Sequence, residues 1–179
     1  MFAENRKISL RQLQILLLLD SFGTAVLFLP AELAQISGRA CWVAALIGGG
    51  MFKWPAPSYT RVSSDYGWRL HPTLGVDKFH NGIDLAAPGG SPILAAYDGE
   101  VIGAGYNSSM GNYIMINHGG GLITIYMHAS ALYVSSGDMV GRGQKIAAVG
   151  TTGRSTGNHL HFGVRLDGNY VSPWNYISK

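Results

Sequence analysis

Asn112-Tyr113-Ile114-Met115-Ile116-Asn117-His118-Gly119-Gly120-Gly121-Leu122-Ile123-Thr124-Ile125-Tyr126-Met127-His128 decides the fold class. Two short runs rich in Ile, Tyr and Thr flank three consecutive glycines, the pattern of strand, turn and strand. Similar runs lie on either side, at 92–96 and 99–104 before and at 145–149 and 159–166 after. Turn residues separate them at Asp98-Gly99, Ser136-Gly137-Asp138 and Asp167-Gly168. No amphipathic helix and no internal repeat interrupts the series. The region therefore reads as an all-β domain, an antiparallel sheet or sandwich. The turn-rich stretch Gly137-Asp138-Met139-Val140-Gly141-Arg142-Gly143-Gln144-Lys145-Ile146 sets Lys145 at a strand start and not at a hairpin tip, and it reads as a sandwich hairpin.

A chain of 179 residues has room for one such domain and a short extra module. Composition places the boundary near Lys53-Trp54-Pro55-Ala56-Pro57, where two prolines discourage a continuing helix. This gives a hydrophobic N-terminal segment over 1–53 and the β domain over 54–179. From Trp54 onward eight Lys/Arg face seven Asp/Glu. No basic stripe with interleaved aromatics is present, and nucleic acid is not an expected partner. Cys41 is the only cysteine, which excludes an internal disulfide and leaves the β domain without a thiol nucleophile.

In the first segment, Arg6, Lys7 and Arg11 precede an apolar stretch over residues 13–33, about the 20 residues that cross a hydrocarbon core. A helical membrane anchor with its N-terminus in the cytoplasm is the expectation. An amphipathic or core helix is the alternative, and Asp20 is the anomaly, because an ionisable group at membrane depth faces protein or water. A second apolar run over 40–52 is short for a span. If only the first run crosses, the β domain lies outside the cytoplasm, at the surface of a bacterial cell membrane, and it is secreted if the segment is cleaved. Lys7-Ile8-Ser9-Leu10-Arg11-Gln12, residues 23–30 and Trp42-Val43-Ala44-Ala45-Leu46-Ile47-Gly48-Gly49 resemble the opening of spore-germination permeases, relatives of amino-acid transporters. About 50 residues cannot enclose a transport pathway, so the segment reads as an anchor.

The chemistry concentrates in His80-Asn81-Gly82-Ile83-Asp84 and Asn158-His159-Leu160-His161-Phe162. His80 and Asp84 lie four apart in a stretch that reads as strand or turn. In a strand, residues i, i+2 and i+4 point the same way. The same rule puts His159 and His161 on one side, with Leu160 toward the core. Two His and one Asp make three protein ligands, and an open fourth position marks catalytic zinc. Four residues compete for three places, so one histidine of the 159/161 pair is left to act on substrate. No His-Glu-x-x-His motif occurs, and Glu100 is the only glutamate in the β domain. Histidine must then move the protons, and His128 adds a further imidazole. His71 and His118 read as structural or solvated. Tyr106, Asn107, Tyr113, Thr151, Thr152 and Ser155 are candidates for lining a peptide groove.

Tyr66-Gly67-Trp68-Arg69-Leu70-His71-Pro72, residues 80–90, Tyr126-Met127-His128 and residues 150–162 together resemble the LytM/lysostaphin-type zinc endopeptidases of bacterial cell walls, with their duplicated hybrid motif fold. The likeness extends over about residues 60–178. It implies that His80, Asp84 and His161 bind Zn2+, that His128 and His159 are the catalytic pair, and that the substrate is peptidoglycan peptide; the alternative is a non-catalytic wall-binding or activator domain of the same fold. Gly163 and Asn158 depart from the family's usual Glu and Pro at those positions.

Overall fold

The alternating runs form strands, and the strands hydrogen-bond in antiparallel pairs throughout. The structure is a computed structural model and describes residues 52–70 and 75–177. The expected anchor over residues 13–33, its membrane partner, the helical character of 1–51 and His71 lie outside those residues. Among the described residues no helix is long and apolar enough to cross a membrane.

In chain order the strands are β1 (Arg61–Ser64), β2 (Gly67–Leu70), β3 (Asp77–His80), β4 (Gly82–Ala86), β5 (Pro92–Leu94), β6 (Gly99–Asn107), β7 (Gly111–Asn117), β8 (Leu122–Ala129), β9 (Ala131–Leu132), β10 (Met139–Val140), β11 (Lys145–Ala148), β12 (His159–Leu166) and β13 (Asn169–Val171). A single turn of 3-10 helix follows at Pro173–Asn175. The large sheet runs β1-β4-β12-β8-β7-β6-β10, with β13 also paired to β12. A second sheet runs β5-β11-β9, and β2 and β3 form a separate hairpin. β12, late in the sequence, is thus inserted between β4 and β8.

The core lies where the two larger sheets meet. Ile83 and Leu85 from β4, Leu160 and Phe162 from β12, and Tyr126 from β8 turn inward on one face of the large sheet, each 1% exposed or less. Ile93 from β5 and Ile146 from β11 join the same cluster. The period-two alternation that marked these runs as strands is what sends these residues to one face. Burying side chains of this size contributes about 1.5–3 kcal/mol each, enough to fix register across the sheet.

Three expectations change on the structure. His80 and Asp84 do not share one strand: β3 ends at His80 and β4 begins at Gly82, and the two strands belong to different sheets. Met139–Val140 and Lys145–Ala148 do not form a hairpin with each other, since β10 pairs with β6 whereas β11 pairs with β5 and β9. The turn over 141–144, closed by Gln144 N–H donating to the Gly141 carbonyl at 2.9 Å, passes the chain between sheets. Finally, the β domain takes in Phe52 and Lys53. Phe52 is 4% exposed, stacked on Tyr176 at 5.3 Å and 5.5 Å from the His118 ring, and Lys53 N–H donates to the Ala96 carbonyl.

Candidate metal centre and groove

Three adjacent strands, β4, β12 and β8, carry the site on the face opposite the core. Asp84 is the direct register partner of His161, which is in turn the direct partner of Met127. Side chains of direct partners stand side by side on one face. Asp84 and His161 are therefore neighbours because Leu85, Leu160 and Phe162 are buried on the other side. His80 enters from β3, and the β3–β4 junction at Asn81 swings it over Asp84.

Gly82 permits this approach. A Cβ there would collide with the Phe162 carbonyl and come within 2.8 Å of His161 Nε2. Only a residue without a side chain lets the imidazole lie against the β4 backbone.

The donor atoms converge. His161 Nδ1 lies 2.8 Å from Asp84 Oδ1 and 3.0 Å from His80 Nε2, and His80 Nε2 lies 3.2 Å from Asp84 Oδ1. A tetrahedral zinc with ligand distances near 2.0–2.1 Å needs donor separations of about 3.3–3.4 Å, so the triangle approximates one face of such a tetrahedron. Two imidazoles and one carboxylate are also the donor chemistry zinc takes, and His80, Asp84 and His161 form the only such metal-competent group among the described residues. His159 stands outside the triangle, its Nε2 3.7 Å from Asp84 Oδ1.

Outer partners fix the ring orientations. His80 Nδ1–H donates to the Asp65 carbonyl at 2.7 Å, which leaves Nε2 to face the triangle. Burial alone would raise the Asp84 carboxyl, but hydrogen bonds from His161 and His80, together with their charge, hold it well below the carboxylate range. Burial pushes the His161 imidazole below its ordinary value, against the pull of its Asp84 bond. Arg69 Nη2 stands 3.9 Å from Asp84 Oδ2. The Arg69 Nε is buried without a hydrogen-bond partner.

His128 reaches the site by a backbone irregularity. Ala129 pairs with Asn112 and Tyr126 with Ile114, so Met127 and His128 together oppose Tyr113 in a β-bulge. His128 takes φ 67 there, in the left-handed region, and its amide donates to the Met110 carbonyl at 2.9 Å. Regular alternation would send His128 to the core beside Tyr126; the bulge turns it to the groove. Its Nδ1–H donates to the Thr152 carbonyl at 2.8 Å, and His159 Nδ1–H donates to the Gly157 carbonyl at 2.8 Å. Both rings therefore keep an Nε2 lone pair, and their centroids stand 4.8 Å apart. Burial and the neighbouring rings of His159 and His161 push His128 down to about 4, against the Thr152 carbonyl, which leaves it neutral near pH 7.

These groups open into a groove of about 1120 Å³ lined by Ser155 among others. Tyr106, Asn107, Tyr113, Thr151 and Thr152 are not among its lining residues. Tyr106 and Asn107 end β6, where the Asn107 side chain accepts from the Ser109 amide at 2.8 Å. Tyr113 lies opposite the bulge. Thr151 bonds Ser155 Oγ at 2.9 Å, and Thr152 Oγ1 donates to the Ala129 carbonyl at 2.7 Å, so both brace the loop that carries the groove wall. Sequence reasoning passed over Lys78, Met110, Arg154 and Tyr170, which do line the groove. Lys78 and Arg154 are exposed and Met110 and Tyr170 half-buried, and none of the four carries a periodic signal. His118 is structural as expected: Nδ1–H donates to the Asp98 carbonyl at 2.7 Å, and Nε2 bonds the Thr124 hydroxyl at 2.7 Å.

An antiparallel β sheet that bears a His-Asp-His donor triangle at the floor of an open groove, with two more imidazoles beside it, defines a protein built around a metal centre. Residues 78–173 match Peptidase family M23, and the chain belongs to that family. It is 46% identical over 115 residues to the DD-carboxypeptidase/endopeptidase Mpg of Neisseria meningitidis serogroup B, covering 64% of this chain and 26% of that protein. It is 44% identical over 116 residues to the peptidoglycan DD-endopeptidase ShyC of Vibrio cholerae, covering 64% and 27%. The fold superposes on a zinc-containing peptidase from Vibrio cholerae with TM-score 0.65 and 36% identity, over 74% of this chain and 41% of that one. The chain thus spans about a quarter of the length of these curated relatives. The permease resemblance of residues 1–52 gains no support from these likenesses.

Proposed function

We propose that this chain is a zinc-dependent endopeptidase that hydrolyses peptide bonds in bacterial peptidoglycan, in stem peptides or cross-bridges. The observation that carries the reading is the convergence of His161 Nδ1, His80 Nε2 and Asp84 Oδ1 within 3.2 Å of one another at the floor of an open groove. His80, Asp84 and His161 hold the metal, which when bound supplies Lewis acidity toward water and toward a scissile carbonyl. His128 and His159, each anchored through Nδ1, present Nε2 to the groove. The imidazole that accepts the proton of the attacking water becomes a donor, able to steady the carbonyl oxygen or protonate the leaving amine. One water is consumed, the amide C–N bond breaks, and a carboxylate and an amine result.

Replacing His161 with Ala removes one donor of the triangle. The expected result is loss of zinc binding, followed by calorimetry, together with loss of new amine ends released from purified peptidoglycan. Full hydrolysis by a metal-free H161A protein overturns the reading, and zinc binding without any release of amine by the intact chain does so as well. The membrane anchor over residues 13–33 and an extracytoplasmic β domain belong to the same proposal, because that is where the wall lies. Protease shaving of intact cells making the full chain tests this placement, and a β domain protected until lysis contradicts it.

A further inference from the structure

The groove has an unbalanced charge. Arg69, Lys78 and Arg154 line it, and among the described residues Asp84 is the one carboxylate that does. Asp84 is committed to the donor triangle, and a bound divalent cation would more than cancel it.

The placement of the cations is costly. Lys78 is the direct register partner of Arg69 on the β2–β3 hairpin, so two positive side chains share one face. Like charges directly opposite one another destabilise a sheet. Arg69 is turned toward Asp84 Oδ2. Lys78 has no ion pair among the described residues. Arg154 stands on the other wall, in the loop that leads into β12. That loop is fastened by Arg154 N–H donating to the Ser109 carbonyl at 3.0 Å and by the Ser155 hydroxyl donating to the Gly157 carbonyl at 2.8 Å. Arg154 too has no ion pair among the described residues, although its loop is held in place. Lys78 lies on β3, which leads into β4, whereas the Arg154 loop packs toward the β6–β7 turn, beyond β12 and β8 from β4 in the large sheet.

Two exposed cations without ion pairs among the described residues, one on either side of a reaction centre, form a recognition device for anions. Resting on the peptidase reading above, we propose that the groove selects acidic peptides, with a free carboxylate on each side of the scissile bond, one met by Lys78 and the other by Arg154. A guanidinium or ammonium gains a charge-assisted hydrogen bond to a carboxylate that it cannot gain from a carboxamide.

The test uses the zinc-loaded full chain and four synthetic cross-linked peptides: both flanking carboxylates free, each amidated singly, and both amidated. Each amidation is expected to lower kcat/KM by about tenfold, the size of one such contact. In Lys78→Gln the response to one amidation disappears, in Arg154→Gln the response to the other, and in the double variant all four peptides are cleaved alike. Equal cleavage of all four peptides by the wild-type chain overturns the proposal while leaving the peptidase reading intact. A preference that survives in the double variant also overturns it. If none of the four is cleaved, it is the peptidase reading that fails, and the affinities of the same peptides for the zinc-loaded chain decide the matter. Tighter binding of the free acids that depends on Lys78 and Arg154 supports selection by charge, and equal binding refutes it.

Discussion

His128 occupies a conformation that a non-glycine residue holds only at a cost of roughly 1–2 kcal/mol. The bulge that imposes φ 67 also aims the ring at the groove, so geometry and chemistry separate cleanly by substitution. Asn tolerates the left-handed region, and His128→Asn should keep the thermal midpoint close to wild type. Hydrolysis of peptidoglycan should nevertheless fall by about 10²–10⁴-fold, the usual contribution of a proton-transfer group. The β-branched His128→Val should lose both activity and stability, and a Val variant as stable as Asn would contradict the assigned strain. His118 serves as a contrasting histidine. Burial holds it below its ordinary 6.5, against its Asp98 bond, so the unfolded chain binds that proton more readily than the folded one. Stability from the neutral ring is complete above about pH 6.5 and is lost as the pH falls below that value toward the folded-state pKa. The stability difference between wild type and His118→Gln, read from urea unfolding, should therefore shrink between pH 7 and pH 5.

The strands show which parts of this architecture a sequence can announce. β7, β8 and β12 were legible because Ile, Tyr, Leu and Phe alternate with the residues of the other face, and burial enforces that alternation. β2 and β3 were not, since Gly67-Trp68-Arg69-Leu70 and Asp77-Lys78-Phe79-His80 mix charge with aromatics and pair only with each other. The metal donors were legible as motifs; spacing alone left the 159/161 pair undivided and only the family resemblance split it, whereas the register sets His161 beside Asp84. The bulge at His128 was invisible for a related reason, because it exists only in the pairing between β7 and β8. Gly82 belongs to this same level. Gly82→Ala would drive a methyl group into the Phe162 carbonyl in the middle of the sheet, and overpacking of this kind costs about 1–3 kcal/mol. Zinc affinity should drop along with the melting temperature, since the displaced group is the His161 ring. A Gly82→Ala protein with wild-type zinc affinity would show that the close approach does not hold the ligand.

Across the whole domain, the sheet body begins earlier than the proline-marked boundary suggests. The Phe52 ring is stacked on Tyr176 near the other end of the β domain and touches Tyr97 at 6.1 Å, tying the first described residue to the last turn. Phe52→Ala should cost about 3–5 kcal/mol, as for other buried aromatics, measured by the urea midpoint of the full chain. Little loss would mean that the N-terminal clasp contributes nothing to the fold. The order of the strands carries a further consequence, in time. β12 follows both β4 and β8 in the chain and leaves the ribosome after them, yet it is the strand that separates the two. During synthesis both neighbours wait with open edges, and the long separation between partners makes their closure slow. The same strand delivers His161. A nascent chain that has not yet reached β12 therefore has neither a closed sheet nor a complete donor triangle, and the two arrive together.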